Sequence, residues 1–459
     1  MQRVLSFAVV LAMAALLAAC ERPPEVPDQP ERVVERVPQP EAEPPEERPD
    51  EEPVQEVDTM PLTDEDFARF GEGHRDFALA LFAALAEDPE MTDKNLLVSP
   101  HSILSALAMV YAGADGLTRE QMRKALRLGL DEPALHGAFS RLDQALAERS
   151  AIKREDEARG FTLNVVNRLW GHHDYEFVPA YLDLVEAYYG AGIERVDFEA
   201  DPNKVRGQIN AWVEEQTRDR IRDLLPDGSL DEDTRLVLVN AIYFLASWHE
   251  AFEEAETRKA PFTRPDGSPT EVDMMHRTGR LQAHVGEETV AVAIPYLGGD
   301  TVLLAMMPAD PQADFLAWER SLDRAAFDAA LVRMESEQVA LDFPKFRTEG
   351  GFRLSDLLKA MGMEEAFDPP QANFERMTGV PPGIIGRSLY IDEVFHKTFI
   401  DLDEAGTEAA AATAVVMMRL TAVQPEPEPI SIRFDRPFVY AIYDQPTGTI
   451  LFLGRLLDP

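Results

Sequence analysis

Glu404, Gly406, Thr407, Ala409, Ala411 and Thr413 lie in the stretch whose residue types and spacing are most specific. Five of the six residues from Ala409 to Ala414 are alanine, the best helix former, so composition alone allows a helix. Read as a strand, Thr407, Ala409, Ala411 and Thr413 share one face, and Glu408, Ala410, Ala412 and Ala414 the other. Such small side chains could slide between two preformed strands. A charged inward residue would stall the slide, because burying an unpaired charge is costly. Gly406 supplies a flexible pivot. Patterns for conventional catalysis are missing: there is no GxSxG, HExxH or Walker A sequence. Gly71-Glu72-Gly73 lacks the third glycine and the preceding strand of a dinucleotide fingerprint. His172 and His173 are adjacent, so they cannot share a helix face as metal ligands and read as surface or structural residues. Serines, histidines and carboxylates are all present, but nothing local points to a triad. No cofactor and no metal are expected.

The elements that must position this stretch belong to a chain of 459 residues, 45% of them apolar, enough for a large core. The net charge of -39 argues against binding nucleic acid and for cationic partners. The single cysteine rules out an intrachain disulfide. Val4 to Ala19 is apolar except for Ser6 and ends in Leu17-Ala18-Ala19-Cys20. This resembles a bacterial lipoprotein signal, with residues 1–19 removed and Cys20 carrying the lipid anchor. Glu21, where an aspartate would favour inner-membrane retention, points to the outer membrane of the cell envelope. Residues 21–60 hold ten prolines, fourteen acids and four arginines, so residues 20–60 read as an extended tether.

Residues 61–459 read as the folded domain. Phe67, Phe70, Phe77, Leu81, Phe82 and Leu85 recur at helical spacing, and further helices are expected over Ile103–Ala112, Thr118–Leu126 and 203–222. Strands are expected over 161–170 and Leu236–Leu245, then at 290–295, 301–307, 338–346, 388–395, 430–434, 437–443 and 449–456. Helices dominate early and strands late, an α+β pattern.

Several segments, in order, resemble the serpin family of serine protease inhibitors. They are Asn95-Leu96-Leu97-Val98-Ser99-Pro100-His101-Ser102-Ile103, Leu238-Val239-Asn240-Ala241-Ile242-Tyr243-Phe244 with Trp248, and Ile294-Pro295-Tyr296. Phe343-Pro344-Lys345-Phe346, Leu357 to Gly362, Asp403 to Ala411 and Phe434-Asp435-Arg436-Pro437-Phe438 complete the set. The resemblance implies three β-sheets with eight or nine helices, an exposed reactive loop and a metastable native state. It makes Glu404 to Thr413 an inhibitory hinge and places the scissile bond at Leu420-Thr421, with Arg419 as a trypsin-type alternative and Met417 and Met418 suited to elastase or subtilisin-like enzymes. Ser99, Ser102, Asn240 and His396 match the family's shutter, a polar cluster beneath the main sheet, and Trp248 matches the breach where insertion begins. A monomeric suicide inhibitor of a serine protease, not an enzyme, is the expectation. A non-inhibitory serpin serving as a surface binding or chaperone-like protein is the alternative.

Overall fold

The computed structural model describes residues 62–152, 161–384, 386–407 and 428–459. Cys20, the tether and residues 408–427, which carry Ala409, Ala411, Thr413, Met417, Met418, Arg419, Leu420 and Thr421, lie outside the described residues.

The first helix, Asp64–Ala86, starts at a capping box. Thr63 Oγ1 accepts from the Asp66 amide at 3.1 Å while the Asp66 carboxylate reaches back to the Thr63 amide. Its apolar stripe buries Phe67, Phe70, Phe77, Leu81, Phe82 and Leu85. The second helix, Pro100–Gly113, is buried at every residue, as its nearly all-apolar sequence requires. The helix expected over 203–222 stops earlier, as Pro202–Gln216. Thr217 Oγ1 takes over its last turn, donating to the Val213 carbonyl at 2.8 Å and accepting from the Ile221 amide at 3.1 Å, and Arg218 and Asp219 adopt left-handed backbone angles.

The six-stranded sheet contains β1 (Phe161–His172), β2 (Ile193–Val196), β3 (Leu236–Ser247), β4 (Phe346–Arg353), β5 (Glu393–Leu402) and β6 (Gly406–Thr407). Its spatial order is β4-β5-β6-β3-β1-β2, and β5 also pairs directly with β3. Every residue of β3 is buried, as expected for a strand covered on both faces. The strand expected at 388–395 is displaced to β5. Leu389 and Ile391 are buried by packing, without strand pairing.

The fold has the expected α+β character, with a different count of elements. Ten α-helices are present among the described residues, several of them single turns such as Glu375–Thr378. Hydrogen bonding joins the remaining strands into one nine-stranded sheet in place of two. The cause is the long strand Pro269–Val285. It pairs with Glu335–Pro344 over most of its length and with Val290–Ala293 near its end, so it belongs to both groups.

Candidate functional site: the hinge and the seam beneath it

Two residues of the alanine-rich stretch, Gly406 and Thr407, are described, and both are already in the sheet. Thr407 pairs with Leu402 of β5 on one side and with Ala246 of β3 on the other, antiparallel to both. Its side chain is fully buried and its hydroxyl lies 2.7 Å from the Tyr296 phenol. The inward direction assigned to Thr407 therefore holds. Gly406 is required by close approach. A Cβ there would lie 2.1 Å from the Ala246 carbonyl oxygen.

The turn before this pair is held by backbone and side chain together. Asp403 accepts from the Ala405 and Gly406 amides at 2.8 and 3.2 Å. The Trp248 and Phe252 amides donate to the Ala405 and Glu404 carbonyls at 2.9 and 2.8 Å. Glu404 takes an ion pair from Lys345 Nζ at 2.7 Å and a hydrogen bond from Thr257 Oγ1 at 2.6 Å. Burial alone would raise the Glu404 pKa, but these two partners outweigh it and hold the carboxylate below its usual value.

Trp248 is fully buried. Its ring stacks on Tyr296 with centroids 4.6 Å apart, and its indole N–H donates to the Asp403 carbonyl at 2.9 Å. Trp248 thus touches both the turn and the ring that meets Thr407. Tyr296, Lys345 and Thr257 were not singled out from sequence. Tyr296 and Lys345 lay within the matched segments, and Thr257 carried no signal.

Below Thr407 nothing separates β5 from β3. Glu393–Phe399 runs parallel to Val237–Tyr243 as a continuous ladder. The four polar residues grouped from sequence cluster on this seam. His396 and Asn240 are direct partners across it, and Asn167 of β1 is the next in the row. The Ser99 amide donates to His396 Nε2 at 3.1 Å, so the ring proton is on Nδ1, which donates to Asn240 Oδ1. Asn240 Nδ2 donates in turn to Ser102 Oγ and Asn167 Oδ1. Ser99 Oγ donates to the Leu451 carbonyl at 2.7 Å and also caps the second helix, accepting from the Ser102 amide at 3.3 Å. Burial pulls the His396 pKa down to about 3, so the imidazole stays neutral. The cluster is a satisfied, uncharged chain of hydrogen bonds crossing the seam between β5 and β3. Asn167 was missed. Its signal was a polar residue on the face that carries Leu163, Val165 and Leu169 in β1.

A family model described as serpin (serine protease inhibitor) matches residues 72–459. The chain is a serpin. Among its relatives, an uncharacterised serpin-like protein from Thermococcus kodakarensis is 36% identical, covering 87% of this chain and 90% of the relative. The leukocyte elastase inhibitor of Equus caballus is 34% identical over 83% of this chain and 97% of its own length. Among solved structures, the thermophilic serpin tengpin in its native state superposes with a TM-score of 0.73 at 28% identity, covering 85% of this chain and 94% of that one. Gly406 and Thr407, the His396–Asn240 row and Trp248 are the positions for which the resemblance implies hinge, shutter and breach roles.

Proposed function

We propose that this serpin is a suicide-substrate inhibitor of serine proteases. The observation that carries the reading is the seating of Gly406 and Thr407 between β5 and β3, directly above a parallel seam with no strand in it. The protease serine attacks the Leu420 carbonyl, forms an ester to Leu420 and releases the Thr421 amine. The freed segment then continues from Thr407 down the seam, separating His396 from Asn240 as it goes. An inserted strand of about fifteen residues spans roughly 50 Å, enough to carry the acylated protease from one pole to the other. The names of relatives such as leukocyte elastase inhibitor support a protease as the partner. Incubation with chymotrypsin-, subtilisin- and trypsin-like enzymes should give a complex that survives a denaturing gel, with a mass-mapped cut after Leu420. A cut after Arg419 would shift the reading to a trypsin-type target. Cleavage of the chain by every enzyme with no stable complex would favour the non-inhibitory alternative.

The same reading places the inhibitor in the cell envelope, as a monomer on a lipid anchor at Cys20 with residues 20–60 as spacer. Cys20→Ala should move the protein from the detergent phase to the aqueous phase or leave it unprocessed. Mature-sized protein still in the detergent phase would overturn the anchor.

A further inference from the structure

At the end of β1 farthest from the hinge, the chain gathers two imidazoles and a carboxylate. Phe161 pairs with Ala246 beside the hinge, whereas Gly171 pairs with Leu236 at the opposite pole. Adjacent side chains on a strand point to opposite faces, but β1 stops at His172 and the chain turns there. The His172 and His173 rings therefore lie with centroids 4.6 Å apart. One ligand atom from each of His172, His173 and Asp174 lies within 4.8 Å of the other two. Adjacency excludes a helix face as a metal site, but it does not exclude a strand end.

Two further observations single this group out. His172 is 3% exposed, and its Nδ1 has no hydrogen-bond partner among the described residues. Its Nε2 faces Asp174 Oδ2 at 3.8 Å, too far for a hydrogen bond. Buried polar atoms are normally paired, so a ring placed like this lacks something. His173 Nε2 lies 3.1 Å from Asp174 Oδ1, while its Nδ1 faces Asp197 Oδ1 at 3.9 Å. Ligands on a tetrahedral ion at about 2.0–2.1 Å are separated by roughly 3.3 Å, close to the 3.1 Å between His173 Nε2 and Asp174 Oδ1.

We propose that His172, His173 and Asp174 bind one divalent transition-metal ion of the zinc class. Nitrogen-rich ligation selects zinc, cobalt, nickel or copper over magnesium and calcium. The fourth coordination position faces solvent, since His173 and Asp174 are exposed. The site lies beside Val196, whose carbonyl accepts from the His173 amide at 2.9 Å, and the chain after Val196 leads into the helix Pro202–Gln216. That helix packs through Val205, Ile209 and Val213 onto a cluster shared with Val237, Val239 and Phe395, the two sides of the seam.

The test is titration of the tag-free full chain in detergent with ZnCl2, in a millimolar excess of MgCl2 to saturate the acidic surface. One equivalent should bind. His173→Ala, an exposed position, should weaken binding more than tenfold without changing the metal-free melting temperature. CoCl2 should give the visible absorption of a low-coordinate site, lost in His173→Ala. An isotherm unchanged in His173→Ala, or zinc fully displaced by magnesium, would overturn the proposal. Binding is read without any protease, so its failure leaves the inhibitory reading untouched.

Discussion

Nicking the chain between Thr407 and the strand Ile430–Arg433 should raise its melting temperature by roughly 10–20 °C. In the uncut molecule β5 and β3 share one parallel ladder from Glu393–Phe399 to Val237–Tyr243. Insertion replaces that ladder with two antiparallel ones, which are slightly more stable per residue and contain more hydrogen bonds. A dozen or more added bonds at about 0.5–1.5 kcal/mol each, with apolar burial, give on the order of 10–20 kcal/mol. Unfolding entropy of about 2.1 cal/mol/K per residue converts this to roughly a degree per kcal/mol for a chain of this length. The check is a pair of calorimetric scans, before and after limited cleavage confirmed by mass. Coincident curves would show that the cut segment does not enter the sheet.

Thr407→Arg should turn the inhibitor into a substrate. Thr407 is fully buried between two strands, and its only described side-chain hydrogen bond is to Tyr296. One face of the Tyr296 ring is already stacked on Trp248, and Phe244 meets the ring at a steep angle, so the surroundings of Thr407 are aromatic and carry no carboxylate partner in these contacts. A guanidinium forced into that position remains unpaired, at a cost of several kcal/mol. Each 1.4 kcal/mol of added barrier slows insertion about tenfold, and deacylation then wins. Docking and acylation at Leu420 should be unaffected. The expected readout is a more than tenfold rise in the inhibitor consumed per protease inactivated, with the cut at the same bond. Thr407→Val, which removes only the hydroxyl, should retain complex formation. Unimpaired trapping by Thr407→Arg would show that the segment inserts in another register.

The helices and strands of the core could be read from periodicity because burial imposes it. The stripe from Phe67 to Leu85 and the unbroken apolar run of β3 each announce their environment. The end of the helix at Gln216 could not be read, because a single side chain, Thr217, terminates it where the pattern continues. The joining of two sheets by Pro269–Val285 was likewise hidden. Alternation shows which face is buried, not which partner a long strand takes along its length. At the site, Ser99, Ser102, Asn240 and His396 were legible because the motifs carrying them are distinctive. Thr257 was not, because its role depends on Glu404, which lies far away in sequence. His172 and His173 were dismissed by a helical argument at what proves to be a strand end.

The short turn from Asp403 to Ala405 has a consequence for how the chain folds. It makes β5 and the stretch after it neighbours in sequence, ready to zip as a hairpin with almost no loop-closure entropy. The pairing found instead below Phe399 joins β5 to β3, a contact spanning about a third of the chain. Local contacts form faster than distant ones, so the native ladder is at a disadvantage in a kinetic race. Strand Ile430–Arg433 offsets this by docking beside Val339–Asp342 in the other sheet, which fixes the far end of the stretch. A nascent chain acquires that anchor only once residues 430–433 have been made, after both β3 and β5. Until then, β3 and the hairpin compete for the same edge of β5, and on the proposed inhibitory reading the order of synthesis helps decide which the protein becomes: a loaded spring or a spent one.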